Sequence, residues 1–308
     1  MPPNQTANEL KLGILGRTQR EDSIELCHFI DMNNHSHNLV VSKEPEDLSK
    51  FYMELQKKTT DTVKALLGRP TLKLWEDRTT TAMIATLEDV INRIIYIYCN
   101  PSKASLCESI EEYPGLSSWS AFVECAPSVD AEVSREVRWY PLSQIPRLPK
   151  LSLSYKQDVC LHQKLREAKR VVKHTLVLKP FKWLEPFGIT APEAIERIRH
   201  RIIGRVKEQE QEYAKARAIT GKKCAAGSIL QQAPFLRPHN PKKKERKIFL
   251  ICSNTEYRLR LLAGFKETFT RCRECYQKAK EGIRVEWPPG TFVPWFPPGF
   301  RFPLPAAP

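Results

Sequence analysis

Apolar and polar positions alternate from Ile24 to Ile30 and again from His35 to Val41, with Met32-Asn33-Asn34 between them. Alternation with period two marks a strand, and Asn-rich links are turn chemistry, so the pair predicts a β-hairpin. Ahead of it only a short helical piece around Glu9–Gly16 is expected. Beyond it the period changes. Leu48, Phe51, Tyr52 and Leu55 recur at three and four, which predicts a helix from Pro45 to about Leu67. Trp75 falls in an irregular link. Thr86-Leu87-Glu88-Asp89 resembles a capping box and precedes Val90, Ile91, Ile94 and Ile95, so a second helix starts there. Pro101 disfavours helical geometry at the residue before it, which predicts an end near Asn100.

The middle of the chain is less regular. Leu148–Ser154 and Thr175–Leu178 are candidate strands. Thr190-Ala191-Pro192-Glu193 reads as an N-cap with proline just inside, opening a long basic helix over 191–217. A turn and helix over Gly221–Leu230, a Pro/Lys-rich linker over Pro238–Lys247 and a basic helix over Asn254–Lys280 follow. A Pro/aromatic tail occupies 287–308. The divisions expected are 1–120, a mixed segment 121–190, a basic helical extension 191–286, and the tail.

Charge sharpens this division. The net charge is +14, and residues 197–290 hold 23 of the 49 basic and 9 of the 35 acidic side chains. The remainder carries 26 of each, so the whole excess lies toward the C-terminus. Concentrated positive charge favours a polyanion, most commonly nucleic acid. Arg197, Arg199, Arg201 and Arg205 on one helix, with Lys242, Lys243 and Lys244 in the linker, are the candidate phosphate contacts, positioning DNA rather than reading it. The nine cysteines are odd in number and irregular in spacing. No basic-then-apolar leader is visible at Met1-Pro2-Pro3-Asn4-Gln5, and no apolar run approaches membrane-spanning length. Free thiols, a cytoplasmic setting and no membrane partner are expected. Cys272-Arg273-Glu274-Cys275 has no second pair at zinc-site spacing.

Candidate chemistry lies in the hairpin and the second helix. His35 and His37 are two apart, so on a strand they share a face and lie close enough to hold one metal ion. Tyr96 and Asn100 are four apart and share a helix face. A tyrosine hydroxyl beside a cation is a nucleophile beside a Lewis acid, which suits attack on a phosphodiester.

These residues resemble those of the REP-associated tyrosine transposases, a branch of the single-tyrosine HUH nucleases. The resemblance rests on Met32-Asn33-Asn34-His35-Ser36-His37-Asn38-Leu39-Val40, then Trp75-Glu76, Tyr96-Ile97-Tyr98-Cys99-Asn100-Pro101, Lys103-Ala104 and Tyr113-Pro114-Gly115 with Ser118. It covers about residues 8–120, and Trp287-Pro288-Pro289-Gly290-Thr291-Phe292 is similar to the ending of a long subgroup. It implies an α+β fold with a ferredoxin-like HUH layer, an antiparallel sheet carrying the histidines and a helix carrying the tyrosine. By the resemblance, Tyr96 is the nucleophile, His35, His37 and Asn100 hold Mg²⁺ or Mn²⁺, and Tyr98 is structural. The implied activity cuts and rejoins single-stranded DNA at hairpins through a 5′-phosphotyrosine, in a bacterial, nucleoid-associated setting, with a homodimer among the implied assemblies. The family's opening strand has no counterpart before Ile24, which would leave a sheet edge open. Ser36 stands where the family has an apolar residue, a position expected to face the underside of the sheet. An inactive DNA-binding relic is the alternative reading.

Overall fold

The hairpin closes as its turn residues require. The Met32 N–H donates to the His35 carbonyl at 2.8 Å across Asn33-Asn34. In this computed structural model, which describes all residues except 22–23, 76–78, 226, 237–247, 290, 292 and 294–308, β1 (Ile24–Asp31) pairs antiparallel with β2 (Ser36–Ser42). Asp31 faces Ser36 and Ile30 faces His37, with a bulge at Cys27. Ser36 is exposed, so its hydroxyl is solvated and costs nothing, contrary to the expectation of an apolar underside.

The other elements are α1 (Gln5–Glu21), α2 (Pro45–Leu67), β3 (Met83–Ile84), α3 (Leu87–Lys103), α4 (Trp119–Glu124), β4 (Val133–Trp139), α5 (Tyr155–Arg166), β5 (Val172–Leu178), α6 (Pro192–Thr220), α7 (Gly227–Gln231), β6 (Leu250–Ile251) and α8 (Thr255–Lys280). Helix and strand are mixed, as an α+β fold requires. Among the described residues the strands form three two-stranded pairs: β1–β2 and β4–β5 antiparallel, β3–β6 parallel.

Helix α1 is twice the length expected. Gly13 and Gly16, which argue against a long helix locally, are the residues that let it lie on β4. A Cβ on Gly13 would sit 2.0 Å from the Arg138 carbonyl oxygen, and one on Gly16 would sit 2.4 Å from a Val137 methyl. Close approach to a strand outweighs the propensity cost. The outer edge of β1 is not bare either. The Leu26 carbonyl accepts from the Lys179 N–H at 2.9 Å, the Phe29 carbonyl accepts from Ser118 N–H at 3.0 Å, and Asp31 N–H donates to Leu116 O at 2.8 Å. Chain that follows β5 and precedes α4 thus covers part of the edge that an opening strand would occupy, which limits the edge liability.

One expectation for the middle of the chain is corrected, and one strand was not foreseen. Residues 148–154 form no strand; they lead into α5, capped by Ser154 through a true capping box with Gln157. The partner of β5 is β4, whose run Val133–Trp139 mixes charged and apolar residues. Its exposure pattern, with Val137 alone fully buried, explains why alternation was hard to see.

The expected boundary at 190 is also corrected. Helix α6 begins on Pro192, with Ala191 rather than Thr190 at the cap position, and packs its apolar stripe on α3. Ile195, Ile202 and Val206 are fully buried in one cluster with Ile91, Ile94, Ile97 and Tyr98. Residues 192–220 are therefore part of the core that holds α3, not an appendage. Ile202→Ala is expected to cost about 2–5 kcal/mol, the usual range for emptying a fully buried isoleucine. Denaturant unfolding checks it: a single transition shifted for the whole chain is the expected result.

Glu210 completes this contact. It is 7% exposed, and one carboxyl oxygen accepts the Ile110 N–H at 2.7 Å. Burial chiefly, with Glu111 and Glu112 nearby, pushes its carboxyl up from 4.5 to about 7. A carboxyl raised on folding binds its proton more tightly in the native state, so the stability it adds is full below about 4.5 and is lost as pH rises through about 7. Thermal melts are expected to fall across that window, and Glu210→Gln, which keeps the acceptor oxygen, is expected to flatten the slope.

Candidate active site

Helix α3 starts where its sequence dictates. The Thr86 side chain accepts from the Asp89 N–H at 3.2 Å, and Thr86 Oγ1 donates to Asp89 Oδ2 at 2.6 Å. It does not stop at Asn100. Pro101 and Ser102 are buried and helical, and the helix closes with the Ala104 N–H on the Asn100 carbonyl at 3.0 Å. Tertiary packing on α6 outweighs the local bias against helix before proline. Asn100 is thereby held one turn past Tyr96 in continuous helix.

Tyr96, Asn100, His35 and His37 meet. The His35 and His37 rings lie 4.9 Å apart between centroids, edge to face. The His37 ring meets the Tyr96 ring at 5.4 Å. His35 Nε2 lies 3.4 Å from Asn100 Nδ2. His35 Nδ1 lies 2.7 Å from Asn34 Oδ1, an acceptor, so the proton belongs on Nδ1 and the Nε2 lone pair points at Asn100. His37 Nε2 is sealed from solvent with no hydrogen-bond partner among the described residues. Burial holds His35 below its ordinary value, Asp31 opposing. Burial, then His35 and Arg93, push His37 down to about 4. Both imidazoles are thus neutral near pH 7, the form that ligates metal.

Two neutral imidazoles and a carboxamide are a donor set that could hold a divalent ion. His37 offers an unpartnered buried nitrogen, its ring 4.9 Å from that of His35, and the His35 lone pair is directed at the Asn100 carboxamide. A half-turn of that amide puts Oδ1 where Nδ2 stands, and an amide oxygen is a donor such ions accept. Among the described residues no three His, Cys, Asp or Glu side chains form a metal cluster; the third donor here is of a different type.

Tyr98 is separated from this space. It is fully buried, and its hydroxyl bonds to His28 Nδ1 at 2.6 Å and Ser118 Oγ at 3.0 Å. Tyr96 is half-exposed and flanked by cations: the Arg93 guanidinium lies 5.2 Å and the Lys103 ammonium 5.1 Å from its ring centre. Neither cation stood among the candidate site residues. The signal was present, since Asp89, Arg93, Tyr96, Asn100 and Lys103 recur at four, three, four and three and form one polar stripe along the helix.

The proposed arginine row divides. Arg199 turns inward, donating to the Val123 and Cys125 carbonyls at 3.2 and 2.6 Å and pairing with Glu196. Its guanidinium ties α6 to α4, so it is corrected from phosphate contact to structural tie. Arg201 and Arg205 share Glu88, at 2.8 and 3.2 Å. Arg197 is exposed without a partner among the described residues. Lys242, Lys243 and Lys244 lie outside the described residues, as do Glu76, Gly290 and Phe292 of the motifs. Cys272 and Cys275 contact Thr291 Oγ1 and the Glu286 carbonyl and are free thiols, like the other seven cysteines. Among the described residues no helix is long and apolar enough to cross a membrane.

Comparison with known proteins returns no matching family model, no similar curated protein and no similar solved structure.

Proposed function

We propose that this chain is a metal-assisted DNA transposase of the single-tyrosine HUH type, built on a ferredoxin-like HUH layer, that cleaves and rejoins single-stranded DNA at hairpin-flanked sites. The observation that carries the reading is the meeting of His35 and His37 from β2 with Tyr96 and Asn100 from α3. Two remote segments supply one donor set and one half-exposed phenol, and neither has a structural task that explains it.

The chemistry follows from the positions. Arg93 and Lys103 flank Tyr96 and are placed to pair with phosphate oxygens. His35, His37 and the Asn100 amide would hold Mg²⁺ or Mn²⁺, which when bound neutralises charge developing on the scissile phosphate. The Tyr96 hydroxyl loses its proton and attacks phosphorus. The bond to the 3′ oxygen breaks, that oxygen takes up a proton, and the 5′ phosphate is left esterified to Tyr96. A 3′-hydroxyl from a second strand reverses the step, forming the new phosphodiester and releasing the tyrosine. One phosphodiester bond is exchanged for another, so neither water nor a nucleoside triphosphate enters. Partners on this reading are hairpin-bearing single-stranded DNA and a second copy of the chain.

The test is incubation with single-stranded DNA bearing hairpins from the flanks of its own gene. A covalent protein–DNA band on a denaturing gel, present with Mn²⁺ or Mg²⁺ and absent with chelator, is the expected result. Retardation on a native gel with no covalent band under any metal would instead mean a DNA-binding protein without the chemistry.

A further inference from the structure

Helix α8 is the least buried long element of the fold. Of its 26 residues only Ala279 is buried. It carries seven Lys or Arg and three Glu, yet its exposed surface is not simply polar. Phe269 is 61% and Phe249, just before β6, 50% exposed. Phe249 and Phe265 meet edge to face at 5.5 Å. With Leu262, Lys266, Thr270 and Arg273 these rings line an open groove, and among the described residues no acidic side chain lies in its wall.

From this groove we infer a second nucleic-acid site: a stacking platform for the single strand running away from the scissile phosphate. The inference rests on the function proposed above. Three features select this occupant. The cations Lys266 and Arg273 line the same groove as the rings, the arrangement by which single strands are held, bases on aromatic faces and phosphates on nearby positive charge. The helix has an excess of positive charge, which a polyanion neutralises and a second basic copy would not. The groove is also rooted at the start of the helix that carries Tyr96. β6 pairs with β3, which directly precedes α3, and the Ser253 N–H donates to Asp89 Oδ2 at 2.9 Å. Stacking contacts are sequence-tolerant and lend grip rather than readout.

The test uses the full chain and fluorescein-labelled oligo-dT of twelve nucleotides, without metal, followed by anisotropy over a salt series. Phe269→Ala is expected to weaken binding about tenfold or more, as loss of one stacked base does. Lys266→Gln with Arg273→Gln is expected to reduce the slope of log affinity against log salt by about 1.4, two single-strand phosphate contacts. Both sites are exposed, and circular dichroism verifies that the variants fold. Affinity and salt slope unchanged in both variants would overturn the platform. So would self-association lost in Phe269→Ala with DNA affinity unchanged, which would make the groove an interface between copies. The covalent-band assay separates the two claims. A wild-type band with groove-independent binding sinks the platform alone, while groove-dependent binding with no band sinks the nuclease alone.

Discussion

Tyr96→Phe is expected to abolish the covalent protein–DNA product while leaving the fold and DNA binding in place. The substitution deletes one oxygen from a half-exposed ring whose hydroxyl makes no hydrogen bond to the described residues. Its packing against His37, Arg93 and Lys103 depends on the ring and stays. What is lost is the atom that becomes the phosphotyrosine link. Removing the nucleophile of a covalent mechanism costs on the order of 10⁶-fold, which puts the band below detection. Tyr98→Phe is the control. It deletes a buried hydroxyl bonded to His28 and Ser118, so it is expected to destabilise by about 1–3 kcal/mol through the partners left unpaired and to leave the adduct intact. If Tyr98→Phe removed the band at a temperature where it is folded, the assignment of the nucleophile would be wrong.

His37→Ala carries the second large effect. In most buried sites deleting a polar side chain strands its partners. Here His37 Nε2 has no hydrogen-bond partner among the described residues, and burial, His35 and Arg93 together disfavour its charge. The metal-free protein is therefore expected to be as stable without His37 as with it, or more stable. Affinity for Mn²⁺, read by titration calorimetry or electron paramagnetic resonance, is expected to fall by more than the 10–100-fold that loss of an outer-shell partner costs. The covalent band falls with it. Such a split between stability and metal affinity marks a residue kept for binding. An imidazole kept for packing would lower the melting temperature and leave Mn²⁺ binding unmoved.

Much of the site was legible in the sequence, because local rules decide it. Period two in β1 and β2, with an Asn-Asn turn, sets the histidines on one side of a hairpin. The Thr86 cap sets the phase of α3, and that phase puts Tyr96 and Asn100 on one face. The structure then brings the two pairs together, which no local rule specifies. Where local rules misled, packing overruled them. Pro101 did not end α3, because Pro101 and Ser102 are buried and Ser102 is bonded to Arg217 of α6. Gly13 and Gly16 did not shorten α1, because they let it touch β4. Arg199 was unreadable as a structural tie, since nothing local distinguishes an arginine that faces carbonyls from one that faces solvent. The length of α6 was legible. Its place in the core was not, because its burial depends on α3, about a hundred residues earlier. Arg93 was missed, and Lys103 was named only within a motif and given no place at the site, for a simpler reason: the polar stripe is visible only once the whole helix is phased, through the proline.

The most direct measurement is the identity of the residue that carries DNA. Protein incubated with hairpin-flanked single strand and Mn²⁺ is digested with nuclease and protease, and the remaining nucleotide-bearing peptide is sequenced by mass spectrometry. A 5′-phosphate ester on Tyr96 alone is the predicted result. An adduct on Tyr98, Tyr213 or any other residue, or none from a protein that binds Mn²⁺ and the DNA, would contradict the account.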